Sequence, residues 1–226
     1  YVGRITAEKN FDFLIHVWNE LQATKQPSDP DMQLVVVGEG QKELKERASE
    51  LPGVHLIGPQ RGTQLSTIYA SSDAVLFPSV TETLGQVGLE AGASGVPVVV
   101  ADRGGQVMYV EEGRTGFIRS TEDETAWVET VQQLARSESQ RKDVGAAARE
   151  HIAANHTFES TLRSYWSIHE EAVEGHRRTR VARPRVRPSI RAQAATGDGP
   201  PIPGVMVITD YHAGKEFGTA TQRARK

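Results

Sequence analysis

Two carboxylates and a cluster of glycines share one short stretch of the sequence, PSVTETLGQVGLEAGASGVP at residues 78–97. Glu82 and Glu90 are eight positions apart, which corresponds to about 12 Å along a helix. That span is too long for the paired carboxylates of a glycosidase. It suits a long ligand with hydroxyl groups at both ends, because carboxylates only accept hydrogen bonds. The alternative is that Glu82 is a first-turn partner of the helix dipole and that Glu90 pairs with a cation.

The same stretch predicts a helix that starts between Thr83 and Gly85, after a buried strand ending near Phe77, and runs to about Ser94. A helix N-terminus presents unpaired backbone N–H groups and a positive dipole end, and a glycine there lets an anion approach closely. A phosphate or diphosphate is therefore the expected guest. Capping by Thr81 or Thr83 explains the threonines equally well.

Two cations stand five residues apart in the segment GRITAEKN at residues 3–10. Gly3 ends a predicted strand, so Arg4 and Lys9 lie on a strand-to-helix loop at the carboxyl edge of the sheet. There they could neutralise a diphosphate without a metal, Arg4 through a bidentate fork and Lys9 as a point charge. The alternative is an ordinary solvated cluster in which they pair with Glu8 or Asp12.

Continuous apolar runs predict the strands that place these side chains, at residues 34–37, 54–57, 74–77 and 97–100, with a terminal pair at 1–2 and 116–118. Runs without alternation are typical of strands buried on both faces. Helical patterns lie between them, the clearest being Leu14, Val17, Trp18 and Leu21. The fold class is therefore α/β, a parallel sheet with helices on both faces and ligands at the carboxyl ends of the strands.

Three helices are predicted beyond residue 121, at 122–136, 139–154 and 158–174. In the last helix, Phe158, Leu162, Tyr165 and Trp166 recur at helical spacing. A periodic apolar stripe of this kind usually forms part of the core.

Residues 1–175 resemble, in continuous order, the C-terminal donor-binding domain of retaining glycosyltransferases of family 4, which have the GT-B fold. The resemblance is carried by YVGRITAEKN, LVVVGEG, VHLIGPQ and the stretch from IYASSDAVLFPSV to EEGRTGF, which includes a Glu-x7-Glu motif at Glu82 and Glu90. It implies the Rossmann-like C-terminal half of a GT-B fold and a hexosyltransferase-type reaction. A sugar would move with retention from a nucleoside diphosphate sugar, UDP-sugar above others, with no metal and no cofactor.

The resemblance also implies roles for individual residues. Arg4 and Lys9 would act in catalysis by holding the donor diphosphate, Glu82 would meet the transferred sugar, and Glu90 would hold the ribose hydroxyls. The turn around Gln60 would lie beside the base. Beside these catalytic residues, the predicted substrate-binding residues are Gly3, Gln60, Thr83, Leu84, Gly85 and Glu90.

GT-B enzymes have a preceding Rossmann-like domain that binds the acceptor, and this sequence, which opens on YVGRITAEKN without Met, does not include it. We therefore expect the chain to bind donor poorly and to transfer nothing by itself. The helix at 158–174 matches one that crosses back toward that domain, so part of its apolar face is expected to be exposed. Gly92 departs from the family pattern, which usually has a larger residue there.

The composition separates an acidic body from a basic tail. The net charge of −3 over 226 residues comes from −11 in residues 1–175 and +8 in residues 176–226. The tail is rich in Pro and Arg, and we predict it to be disordered. It is either a solvated extension or a segment attracted to an anionic membrane surface, whereas nucleic acid fits less well because its Arg cluster lacks aromatic residues. The run VMVITDY at 205–211 is left unassigned.

The sequence contains no Cys, and its longest apolar runs are far shorter than the roughly 18 residues of a membrane-spanning helix. These features favour a cytoplasmic protein, peripheral at a membrane if the tail binds lipid. The seven His show no metal-ligand spacing. A dehydrogenase is disfavoured because no strand leads into G-x-G-x-x-G. Two alternatives stay open: a nucleotide-sugar epimerase or phosphorylase on the same fold, and a non-catalytic sugar-nucleotide-binding module.

Overall fold

The computed structural model describes residues 1–182 of the chain. The chain divides into two units, Tyr1–Glu171 and Ala172–Lys226. The first unit contains every strand found in residues 1–182 and every predicted site residue. The strands are β1 (Leu34–Val37), β2 (Val54–Gly58), β3 (Val75–Phe77), β4 (Val98–Ala101) and β5 (Gly116–Arg119). The helices are α1 (Phe11–Ala23), α2 (Lys42–Ser49), α3 (Gly62–Ala70), α4 (Gln86–Ala93), α5 (Glu124–Arg136), α6 (Glu138–Asn155) and α7 (Phe158–Ala182).

Among the described residues all strand pairs are parallel, as predicted. β1 pairs with β2, and β3, β4 and β5 form a second sheet in that order. The first residues run parallel to β1, where the Tyr1 amino group donates to Val35 O at 2.9 Å and Val37 N–H donates to Tyr1 O at 2.8 Å. The predicted terminal strand is therefore present but short, with bridges at Val2 to Val37 and Ile5 to Gly40. Gly3 N–H still donates to Val37 O at 2.9 Å, which fixes the start of the loop that carries the predicted cations.

Helices cover both faces of the β3–β4–β5 sheet. This follows from β3, whose alternate residues belong to different core clusters. Leu76 packs in a cluster with residues of α1 and α5, among them Trp127. Its neighbours Val75 and Phe77 pack in the other cluster with residues of α3, α4 and α6. Burial on both faces explains why the strands read as continuous apolar runs, and it confirms the α/β fold class.

The predicted helices are present, with bounds that differ by a few residues at most except in the last one. The stripe Leu14, Val17, Trp18 and Leu21 forms the buried face of α1. The prediction that the last helix ends at 174 and that a disordered tail starts at 176 is wrong at this boundary, because α7 continues to Ala182.

The extension of α7 has a local cause. No proline occurs between Gly175 and Pro184, and Arg is a good helix former. Glu174 and Arg178 add an i,i+4 ion pair at 3.2 Å. The rest of the basic tail, including VMVITDY and the arginines at 183, 185, 187 and 191, lies outside the described residues.

The apolar stripe of α7 is exposed, so its assignment to the core is wrong, whereas the expectation of an exposed apolar face is confirmed. Phe158 is 80% exposed, Tyr165 64% and Trp166 57%. Neither buried core cluster includes a described residue of this helix. Within residues 1–182, no helix combines the length and the apolar character needed to cross a membrane.

Candidate active site

A cleft of about 490 Å³ opens at the carboxyl ends of the strands. Six of the nine predicted site residues line it: Gly3, Lys9, Glu82, Thr83, Leu84 and Gly85. The other lining residues are Phe77, Thr81, Gln86 and Val87. Loop residues far apart in sequence therefore meet where parallel α/β folds bind ligands.

A second cavity, of about 360 Å³, lies at the opposite edge of the sheets, between Trp18, Leu34 and Leu76. It contains none of the predicted site residues. Its position at the amino ends of the strands makes it a poor place for the chemistry that the carboxyl-edge side chains can perform.

Lys9 and Glu82 form the central polar contact of the cleft. Lys9 Nζ donates to Glu82 Oε1 at 2.6 Å, and the two side chains are only 16% and 14% exposed. The two residues are 73 positions apart, so this contact joins the loop before α1 to the loop before α4. A cation and an acceptor for hydroxyl groups are thus held together at the sheet edge where each was expected, through an ion pair that the sequence did not predict.

Two further bonds connect the same loops. Thr81 Oγ1 donates to Glu8 O at 3.2 Å, and Asn10 Nδ2 donates to Pro78 O at 3.3 Å. Asn10 has a left-handed backbone with φ of 55° and ψ of 35° and precedes α1, yet its side chain makes no capping bond to its own helix. Its amide instead connects the two loops.

Gly85 is the N-cap of α4, so the helix begins at Gln86, one residue after the predicted range of Thr83 to Gly85. Its φ of 76° lies in the left-handed region, which glycine adopts without a steric cost. Capping by Thr81 or Thr83 is wrong as an explanation, because the N-cap is Gly85, which makes no side-chain capping bond. The first N–H groups of α4 are left without an intrahelical acceptor beside the cleft.

Tyr109 supports the start of α4 from below. Its hydroxyl donates to Gly85 O at 2.5 Å, and the side chain is 3% exposed. Burial, together with the negative charge of Glu82, raises the pKa of Tyr109, so the hydroxyl remains a donor. Gly88 N–H donates to the same Gly85 oxygen at 3.0 Å.

A turn at Gly105–Met108 supports the loop that carries Glu82. Gly105 N–H donates to Glu82 O at 2.8 Å, and Gln106 Nε2 donates to Ser79 O at 2.7 Å. A Cβ atom on Gly105 would lie 2.0 Å from Thr83 O, so only glycine allows this approach. The turn therefore fixes the backbone on which the predicted sugar-binding carboxylate stands.

Arg4 does not line the cleft. Its guanidinium pairs with Glu8 at 3.0 Å, and both side chains are more than half exposed. This corresponds to the solvated-pair alternative for Arg4, whereas Lys9 pairs with Glu82 rather than with Glu8 or Asp12. The loop itself is held firmly, since the Tyr1 hydroxyl donates to Arg4 O at 2.6 Å.

Glu90 and Gln60 lie outside the lining of the cleft. Glu90 Oε2 accepts a hydrogen bond from the Tyr69 hydroxyl at 2.9 Å, so its partner is a neutral donor and not the cation of the alternative reading. Burial raises the pKa of Tyr69, and the bond to Glu90 acts in the same direction. Gln60 Nε2 donates to Ile57 O at 2.9 Å and closes its own turn.

Sequence reasoning missed Asn10, Tyr69, Thr81 and Tyr109 as members of the site. Asn10 carried a usable signal, since Asn between a loop and a helix often adopts left-handed backbone. Tyr69 and Tyr109 carried none, because their hydroxyl partners are set by tertiary packing. Within residues 1–182, no group of three or more His, Asp and Glu residues is arranged to hold a metal ion.

Residues 1–151 match the family described as glycosyl transferases group 1. The match covers more than half of the chain, so the chain belongs to this family. The predicted family resemblance and its GT-B fold are thereby confirmed at the level of the group.

Among curated proteins, the chain is 32% identical over 191 residues to the D-inositol 3-phosphate glycosyltransferase of Stackebrandtia nassauensis. That alignment covers 78% of this chain and 43% of the relative. The chain thus spans less than half the length of this relative.

Among solved structures, TarM of S. aureus is similar with a TM-score of 0.66 at 22% identity, over 74% of this chain and 34% of TarM. Anabaena Alr3699/HepE, solved with UDP-glucose, has a TM-score of 0.56 at 22% identity, over 72% of this chain and 48% of HepE. At such identities the similarity shows a shared fold alone.

Proposed function

We propose that this chain is the donor-binding half of a retaining glycosyltransferase that moves a hexose from a nucleoside diphosphate sugar to an acceptor. The observation that carries the proposal is the convergence of Lys9, Glu82 and the uncapped start of α4 on one cleft. Family membership supports sugar transfer, and the HepE complex with UDP-glucose supports a UDP-sugar as the donor.

The diphosphate would lie against the N-terminus of α4. Backbone N–H groups and the helix dipole bind phosphate there, and the left-handed Gly85 permits close approach. Lys9 adds a compact positive charge at the same place, and Arg4 adds a second when its guanidinium turns from Glu8 toward the ligand. Negative charge that develops on the leaving diphosphate is then stabilised by groups already in position.

Glu82 would accept hydrogen bonds from the transferred sugar, and Glu90 from the ribose. Glu82 is fixed by Lys9 on its side chain and by Gly105 on its backbone, so its orientation is set before the sugar arrives. Glu90 is oriented by the Tyr69 hydroxyl, which leaves one carboxylate oxygen for ribose hydroxyls. Retention at the anomeric carbon is proposed from the family resemblance.

The test is donor binding and turnover by the full-length protein with Glu90→Gln and Arg4→Ala variants. Each change removes a charged partner of the donor, and we expect a loss of about tenfold or more in kcat/KM for the donor. Glu138→Gln is the matched control, because Glu138 is an exposed carboxylate paired with Lys142 on α6.

Near-native turnover in both variants would contradict the assigned roles. Conversion of the donor in the absence of any acceptor would favour the epimerase alternative. Nucleotide-sugar binding without transfer to any acceptor would favour the non-catalytic module.

A further inference from the structure

The Gly85 carbonyl is held by two donors beneath the cleft. The Tyr109 hydroxyl donates to it at 2.5 Å, and Gly88 N–H donates to it at 3.0 Å. Tyr109 is 3% exposed and does not line the cleft, so it contacts α4 from the interior of the domain.

The peptide bond transmits this contact to the cleft. In a trans peptide the C=O of one residue and the N–H of the next point in opposite directions. A Gly85 carbonyl drawn inward by Tyr109 therefore turns the Gln86 N–H away from the interior. Gly85 and Gln86 both line the cleft, and this cleft is the space assigned to the diphosphate.

Gly88 makes room for Tyr109 and lowers the helix propensity of α4. A Cβ atom at Gly88 would lie 2.3 Å from the Tyr109 hydroxyl and 3.0 Å from its ring carbons. Glycine is the weakest helix former apart from proline, yet only glycine leaves room for the hydroxyl to reach Gly85. Gly88 and Tyr109 thus act together on the first turn of the helix.

We infer that Tyr109 is a positioning residue that aims the Gln86 N–H at the terminal phosphate of a nucleoside diphosphate. The inference rests on the proposed function, because it assigns a task within the same donor site. Tyr109 does not touch the ligand and acts only through the Gly85–Gln86 peptide.

The test compares Tyr109→Phe with Tyr69→Phe in the full-length protein by calorimetric titration with UDP and with UMP. Both changes remove one buried hydroxyl and keep the ring. Tyr109→Phe is expected to weaken UDP binding about fivefold and UMP binding less than about twofold, because only UDP carries the second phosphate. Tyr69→Phe, which releases Glu90 on the proposed ribose side, is expected to weaken both nucleotides equally.

Equal weakening of UDP and UMP by Tyr109→Phe, or no weakening, would overturn the inference, since loosening of the domain in general affects both nucleotides alike. If Tyr109→Phe does not fold, the native protein labelled with ¹⁵N-Gln provides the second measurement. UDP is expected to shift the Gln86 amide resonance, and an unchanged resonance overturns the inference. If the native protein binds none of UDP, GDP and ADP, the proposed function fails and the inference falls with it.

Discussion

The Lys9–Glu82 pair makes the sharpest prediction about stability. Its N–O distance is 2.6 Å, and its side chains are 16% and 14% exposed. Removing one member of a fully buried pair costs about 3–5 kcal/mol, and an exposed pair contributes about 0–1 kcal/mol. For this largely buried pair we expect Lys9→Met to lower the free energy of unfolding by ~2 kcal/mol, because Glu82 is left without its cation.

The double variant Lys9→Met/Glu82→Gln separates the pair energy from the other effects of each change. In the Lys9→Met background Glu82 has lost its partner cation, so Glu82→Gln removes an unpaired negative charge and breaks no ion pair. The loss in the double variant should therefore be smaller than the sum of the single losses by about 1 kcal/mol. Urea unfolding of the native protein, Lys9→Met, Glu82→Gln and the double variant gives this coupling free energy directly.

The chain provides a matched control in Lys142 and Glu138. Their N–O distance is also 2.6 Å, but the side chains are 73% and 70% exposed. We expect a coupling of less than ~0.5 kcal/mol for that pair, because solvent screens it and both side chains lose rotamer freedom. A Lys9–Glu82 coupling no larger than the Lys142–Glu138 coupling would refute the argument that the cleft holds its charges in a protected environment.

Two further changes test the framework of the cleft. Asn10→Gly keeps the left-handed backbone and removes only the bond to the neighbouring loop, so urea unfolding should show a loss of no more than about 1 kcal/mol; a loss above about 2 kcal/mol would contradict this. Gly88→Ala places a methyl group against Tyr109 and should destabilise by about 1–3 kcal/mol, whereas Gly92→Ala, whose Cβ would lie 3.1 Å from Ile152, should cost less. Equal thermal midpoints for the two alanine variants would argue against the close contact with Tyr109.

The fold was predictable because burial on both faces leaves a direct trace in the sequence. The runs at 34–37 and 74–77 coincide with β1 and β3 to within a residue. The meeting of Lys9 and Glu82 was predictable for a topological reason, since loops that follow parallel strands gather at one edge. The place of Gly85 at the start of α4 was likewise visible, because a glycine before a helix allows the left-handed N-cap seen here.

Other features depend on tertiary packing that local patterns do not record. The periodicity of α7 predicts an apolar face but not what covers it, and Trp166 is exposed in this chain. The bond from Tyr109 to Gly85 joins residues 24 positions apart, and nothing near either residue announces it. Arg4 was assigned from its place on the loop after Gly3 and from the family resemblance, and neither indicates the pairing with Glu8, four residues away, that the structure shows.

The predicted cations of the site are already paired with carboxylates, and this shapes how an anion would bind. Lys9 is held by Glu82 inside the cleft and Arg4 by Glu8 outside it, so a diphosphate would exchange one anionic partner for another. The electrostatic gain for each cation is then only the difference between its ion pair with the diphosphate and its ion pair with the carboxylate. Salt weakens the contribution of Arg4 further, because its side chain is exposed. The N–H groups at the start of α4 have no such carboxylate competitor among the described residues, because the N-cap is Gly85, which makes no side-chain capping bond. Selective affinity for a diphosphate should therefore depend more on how the Gly85–Gln86 peptide is held than on the count of positive charges nearby.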